Sequence, residues 1–177
     1  MINLASYNCF NLAANENLKE RAVQVLRTYG VGPCSPPGFY GTQDVHLKTE
    51  ADVAAHLGTA ACIVYAQAFS TISSVIPVFS KRGDIIVADK AINYSACKGI
   101  QISRSSVWWY EHNDLDDLKR VLERIVKEQA RKPLTRRFII AEGLSENVGD
   151  MIDLPRLVRI ILLWGILTYP VLKLSSD

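Results

Sequence analysis

Neither sign of charge dominates this sequence: 20 Lys and Arg stand against 18 Asp and Glu, a formal net charge of +2. That balance is too mild for nucleic acid or an anionic surface to be the main partner. Cysteine is sparse. Cys9, Cys34, Cys62 and Cys97 form no C-x-x-C pair and are spread too widely for a disulfide scaffold or a zinc site, so reduced thiols and no metal are expected. The segment MINLASYNCF has neither the basic nor the apolar region of a signal peptide. The apolar stretch Ile160 to Tyr169 runs into Pro170 and is well short of the ~20 residues a spanning helix needs, so no transmembrane span is expected. What is present, 49% hydrophobic and 21% charged residues over 177 positions, is ordinary globular material for one domain.

Helix and strand signals alternate along the chain. From Asn15, a residue of capping type, Leu18, Ala22, Val25, Leu26 and Tyr29 recur at helical spacing up to Gly30. Leu47, Ala51, Ala54 and Leu57 mark a second helix ending at Gly58, and ACIVYA (61–66) reads as a buried strand. A third helix carrying Ile72 and Val75 is expected to break near Pro77. GDIIVAD (83–89) reads as a strand, YSACKGIQIS (94–103) as a helix and SSVWWYEH (105–112) as a strand. Asp114 then caps the clearest helix, with Leu115, Leu118, Val121, Leu122, Ile125 and Val126 on one stripe, and RRFIIAE (136–142) closes the series as a strand. Strands separated by crossover helices imply an α/β fold with a mainly parallel sheet covered on both faces.

In such folds ligands bind beyond the carboxyl ends of strands, which directs attention to Ala66 to Thr71, Asp89 to Ser95 and the residues from Glu142 onward. A further candidate is YGVGPCSPPGFYGTQDVH (29–46), where four glycines and three prolines make a shaped loop.

The segments INLASYNCFNL, YGVGPCSPPGFYGTQDVHLKTE, SKRGDIIVADKA, EHNDLDDLKRVL and RRFIIAEGL occur in an order and spacing that resembles the α-oxoamine synthases, from about Ile2 to Val158. These are pyridoxal-phosphate enzymes that condense an amino acid with an acyl-CoA thioester. The likeness is greatest to the serine palmitoyltransferase branch, and there to the first, long-chain base subunits. The resemblance implies a fold type I, aspartate-aminotransferase-like large domain within the class II pyridoxal-phosphate-dependent aminotransferase superfamily, incomplete here at its C-terminal end. It also implies a two-chain assembly with active sites at the interface.

Pyridoxal phosphate needs a Schiff-base lysine, a carboxylate on its ring nitrogen, a stacking partner and phosphate donors. Active relatives carry the stacking histidine in a D-x-x-x-H segment, which here is Asp89 to Asn93, so Asn93 replaces the imidazole. Their G-x-G-G-[ST]-R-x-x-x-G loop aligns with Gly32 to Gly41, with Pro37 where arginine often stands, and their S-G-[FY] phosphate turn aligns with the degraded Gln67-Ala68-Phe69-Ser70-Thr71. Lys90, Lys98 and Lys173 match no cofactor lysine. The resemblance therefore implies no catalytic residue, only degenerate cofactor positions at Phe69, Ser70 and Asn93, with the cofactor held by a partner catalytic subunit. Gly32, Cys34, Gly38, Phe39, Tyr40, Gly41 and His46 would form an interface loop beside the active site shared with that subunit, where serine and the acyl-CoA meet.

Simpler readings stand beside these. The Gly/Pro loop could be a long surface turn, His46 a satisfied helix-start residue, Cys34 a small packed side chain, and Trp108, Trp109 and Tyr110 strand residues under helices. His56 and His112 show no partner in the sequence, and RKPLTRR (131–137) reads as a solvated connection. Residues 1–158 are expected to be a partial large domain and 159–177 an unmatched apolar tail, leaving apolar faces uncovered and the isolated chain unstable. Endoplasmic-reticulum location, on the cytosolic face, is implied by the resemblance alone, without the membrane anchor such subunits carry. The alternatives are a self-sufficient synthase, or a regulatory module that binds the catalytic chain without contributing to turnover.

Overall fold

In the computed structural model, which describes residues 6, 8, 10–131, 133 and 135–164, β1 (Ile85–Asp89) is buried at every position. An Ile/Val-rich run covered on both faces is the signature of a central parallel strand. Parallel neighbours flank it in the order β2-β1-β3: Ile86 pairs with Val107 of β2 (Ser106–Tyr110) and with Phe138 of β3 (Arg137–Ile140). Asp84 joins the strands at their amino ends. Its carboxylate accepts from Lys81 N at 2.9 Å and from Arg136 Nη2 at 2.8 Å. Burial pushes this carboxyl up, but the Lys81 amide and the Arg136 guanidinium outweigh it and hold it below its ordinary value.

The two-residue period of the strand decides which helices it meets. Ile85 and Val87 face a core shared with Tyr110, Ile139, α5 (Leu115–Gln129) and α6 (Leu154–Trp164). Ile86 and Ala88 face the opposite core, with Phe138, Ile140, α3 (Ala68–Phe79) and α4 (Tyr94–Ser103). The expected layering of helices on both faces of a parallel sheet is therefore present. On α5 the helical stripe Leu115, Leu118, Val121, Leu122 and Ile125 is buried, and Asp114 accepts from Asp116 N and Asp117 N as its cap. Trp108 packs on the first core, whereas Trp109 is 41% exposed because β2 is an edge strand.

One expectation is corrected. ACIVYA (61–66) forms no strand: no described strand pairs with it, and Ile63 is 70% exposed. A strand is defined by its hydrogen-bonded neighbour, which an apolar run does not specify. The helix bearing Pro77 ends two residues past it, at Phe79, close to where it was expected to break, and the Ser80 amide and hydroxyl both return to the Ile76 carbonyl. Proline lacks the amide donor and crowds the carbonyl one turn back, which a helix tolerates only near its end. The expected tail is divided. Ile160 and Ile161 are buried on α6, while residues 165–177, with Lys173, lie outside the described residues, as does Cys9.

The contacts divide the chain into two compact units, Met1–Val64 and Tyr65–Asp177, and the sheet belongs to the second. In the first, α1 (Glu16–Tyr29) starts at Asn15, whose side chain accepts from Leu18 N, and α2 (Asp44–Leu57) ends at left-handed Gly58. Gly41 and Ala54 alone are buried among its described residues, and the α1 stripe of Leu18, Leu26 and Tyr29 is open.

Candidate functional site

The carboxyl ends of the three strands release three loops, and in them lie the polar side chains with defined partners. Asp89 ends β1 and is buried. Its Oδ1 accepts from Ala91 N at 2.7 Å and faces His112 Nδ1 at 2.9 Å, while its Oδ2 accepts from Asn113 N at 3.1 Å. His112 and Asn113 follow β2. His112 Nε2 lies 2.9 Å from Asp150 Oδ1, and Asn113 Nδ2 donates to Asp150 Oδ2 at 2.9 Å and to the Met151 carbonyl at 3.2 Å. Asn113 adopts φ 56, a conformation asparagine tolerates, and this lets consecutive residues serve the same two carboxylates.

The hydrogen bond from His112 holds the Asp150 carboxyl below its ordinary value, helped by Asn113. The Asp89 hydrogen bond raises the His112 imidazole above 6.5, against a smaller opposing push from burial. Beside them the Tyr110 phenol is pushed up by burial and by the Asp89 carboxylate. The sequence showed no partner for His112, because Asp89 and Asp150 lie 23 and 38 residues away. The only available signal was position, since Asp89 ends β1 and the other two lie in loops that follow strands.

The loop after β3 closes on itself. Leu144 bridges Met151, Ser145 N donates to Asp150 O, and Ile152 N donates to Gly143 O. Asn147 Nδ2 reaches across to the Ala91 carbonyl at 2.9 Å and the Ile92 carbonyl at 3.3 Å. The β1–α4 turn is thus gripped by the Asp89 network and by Asn147.

Asn93 lies in that turn, 7% exposed, and its Oδ1 accepts from Ala96 N at 2.8 Å as the α4 cap. Asn93→Ala should lower stability by about 1 kcal/mol, the usual value of such a cap, read as a shift of the urea midpoint, and Asn93→Ser should restore most of it. Phe69, in the first turn of α3, stacks on Tyr94 with centroids 6.0 Å apart, and Ser70 Oγ accepts from Gln67 Nε2 at 2.9 Å. Two described lysines lie nearby, each with a partner. Lys90 is paired with Glu111, and Lys98 lies over the Tyr94 ring with a hydrogen bond to Gln101. No group of three or more His, Cys, Asp or Glu among the described residues is set to hold a metal, and no described helix is long and apolar enough to cross a membrane.

The Gly/Pro loop belongs to the other unit. Gly32 has φ 143 and Gly38 has φ 84, where the Gly38 amide donates to Thr42 Oγ1 at 2.8 Å. Phe39 and Tyr40 meet edge to face at 4.3 Å and are 70% and 83% exposed. Cys34 is exposed too. Gly41 closes the loop so tightly that a Cβ there would stand 1.8 Å from the Ser35 carbonyl oxygen. His46 Nδ1 accepts from the Gln43 amide at 3.2 Å at the start of α2.

The family model for aminotransferase class I and II matches residues 1–165. Serine palmitoyltransferase 1 of Dictyostelium discoideum is 40% identical over 158 residues, covering 89% of this chain and 33% of the relative. Long chain base biosynthesis protein 1b of Oryza sativa subsp. japonica is 42% identical over 160 residues, covering 90% and 33%. The chain thus spans about a third of the length of these curated relatives. A solved variant of SPT with PLP superposes with a TM-score of 0.82 at 20% identity, covering 92% of this chain and 39% of that one. The parallel sheet, the loops at its carboxyl edge and the family match agree, and the chain belongs to the class I and II aminotransferase family.

Proposed function

We propose that this chain acts as the non-catalytic first subunit of a serine palmitoyltransferase, paired with a catalytic chain that holds pyridoxal phosphate. Together they would condense L-serine with palmitoyl-CoA to 3-ketosphinganine, for sphingolipid synthesis at the cytosolic face of the endoplasmic reticulum. The observation that carries this reading is Asn93. Where the resemblance puts a ring-stacking histidine, the chain has a buried amide committed to capping α4. Similarity to serine palmitoyltransferase 1 over most of this chain supports the choice of reaction. On the same reading residues 1–158 are part of the large domain, and so are the α6 turns that carry Ile160 and Ile161 into its core. Phe69 and Ser70 are then remnants of a cofactor turn. Exposed Phe39 and Tyr40, with Gly32, Cys34, Gly38, Gly41 and His46 shaping their loop, would meet the catalytic chain.

Co-expression with a catalytic subunit tests it. The expected result is a co-purifying complex that forms 3-ketosphinganine, with no turnover by this chain alone. Binding without turnover would favour a regulatory module. A cofactor absorbance band in the isolated chain, or a pyridoxyl-lysine after borohydride reduction, would replace the proposal with a self-sufficient synthase.

A further inference from the structure

We propose that His112 is a positioning residue that works as an imidazolium clasp, fastening the 143–151 loop to the ends of β1 and β2 and letting it go as the ring loses its proton. The inference rests on the cluster's geometry and does not depend on the proposed function.

Both ring nitrogens face carboxylate oxygens at 2.9 Å, and a neutral imidazole has only one N–H to donate. The remaining contacts are those of ionised carboxylates: Asp89 Oδ1 also takes the Ala91 amide, and the Oδ2 of each carboxylate takes an Asn113 donor, the main-chain amide on Asp89 and the side-chain amide on Asp150. Two donors from the ring therefore require its charged form. Loss of that proton leaves one carboxylate facing a lone pair, and the two carboxylates then repel across the ring with no positive charge between them.

The charged groups around the ring come from each neighbouring element. Asp89 faces it from β1 and Asp150 from the loop, with Tyr110 of β2 behind Asp89. The Lys90–Glu111 pair adjoins from the flanking turns, and Asp117 of α5 accepts the Glu111 amide. His112 has 27% of its side chain exposed, so a proton can exchange with solvent without unfolding the sheet. The raised imidazole sets the sign. The clasp's contribution is complete below the ordinary value of 6.5 and is lost as pH climbs through the raised folded-state value. The consequence reaches the turn carrying Asn93, because the same loop delivers Asn147 to the Ala91 and Ile92 carbonyls.

The test is made on the full chain, with its partner chain bound if it co-purifies with one. The His112 ring nitrogens are followed by 15N NMR, and amide hydrogen exchange in 143–151 is followed across neutral pH. Protection there, corrected for intrinsic exchange, should be constant below pH 6.5, should fall by up to about tenfold per pH unit from there to the raised folded-state midpoint and should level off above it, while Ile86 and Val87 in β1 stay protected. Asp150→Asn removes one charge and keeps an acceptor, so it should move both the imidazole midpoint and the protection loss to lower pH. His112→Gln should leave the loop weakly protected at every pH. A ring that titrates at or below 6.5, or a midpoint unmoved by Asp150→Asn, would overturn the clasp, and this holds even if His112→Gln fails to fold.

Discussion

Leu118→Ala is expected to lower the stability of the sheet-bearing unit by about 3 kcal/mol, the largest loss from a single truncation proposed for this chain. Leu118 is 0% exposed at the centre of the α5 stripe, in the core that also holds Val87, Tyr110, Ile139 and Ile160. Removing its branched end takes apolar surface from a dry, packed layer and leaves a cavity that the surrounding strand and helices, fixed by their own hydrogen bonds, fill only in part. Urea unfolding followed by tryptophan fluorescence gives a direct readout, since Trp108 packs against this core. Leu163→Ala supplies the control. That side chain is 81% exposed on α6 and its loss should change stability by less than about 0.5 kcal/mol. Equal shifts for the two variants would refute the placement of α5 against this face.

Gly99→Val tests the opposite face, where the effect comes from crowding. A Cβ on Gly99 of α4 would stand 3.0 Å from the Ile72 carbonyl oxygen and from Ile76 Cβ and Cδ1 of α3. The two helices approach this closely because position 99 has no side chain. Valine adds two further methyls at a point bounded by backbone on one side and a buried isoleucine on the other, and a loss of about 3 kcal/mol is expected. Gly99→Ala sets two effects against each other. The single Cβ needs a few tenths of an ångström from Ile76, while replacing glycine within a helix gains about 1 kcal/mol, so the net change should be small. The expected order of urea midpoints is wild type near alanine, with valine well below both. A valine variant as stable as the wild type would mean that α3 and α4 are farther apart.

Elements whose determinants are local were legible as sequence. The α5 stripe and its Asp114 cap, the Asn15 cap of α1 and the Gly58 stop of α2 all form where spacing and residue type put them. Each depends on residues within one turn, or on the helical period that the backbone imposes. ACIVYA failed as a strand because its status depends on a neighbour. α6 was hidden as an apolar tail; burial of Leu157, Ile160 and Ile161 on one side gives it a helical face.

The sequence by itself determined the alternating helices and strands, the parallel arrangement they force, and the substitution of an amide for an imidazole at position 93. Only the tertiary structure decided that this amide caps α4, and that His112 lies between Asp89 and Asp150. The reason is separation along the chain. Periodicity and capping act over a few residues, whereas a side chain's charge state depends on groups that meet only after parallel strands, joined through helices, bring their carboxyl ends to one edge.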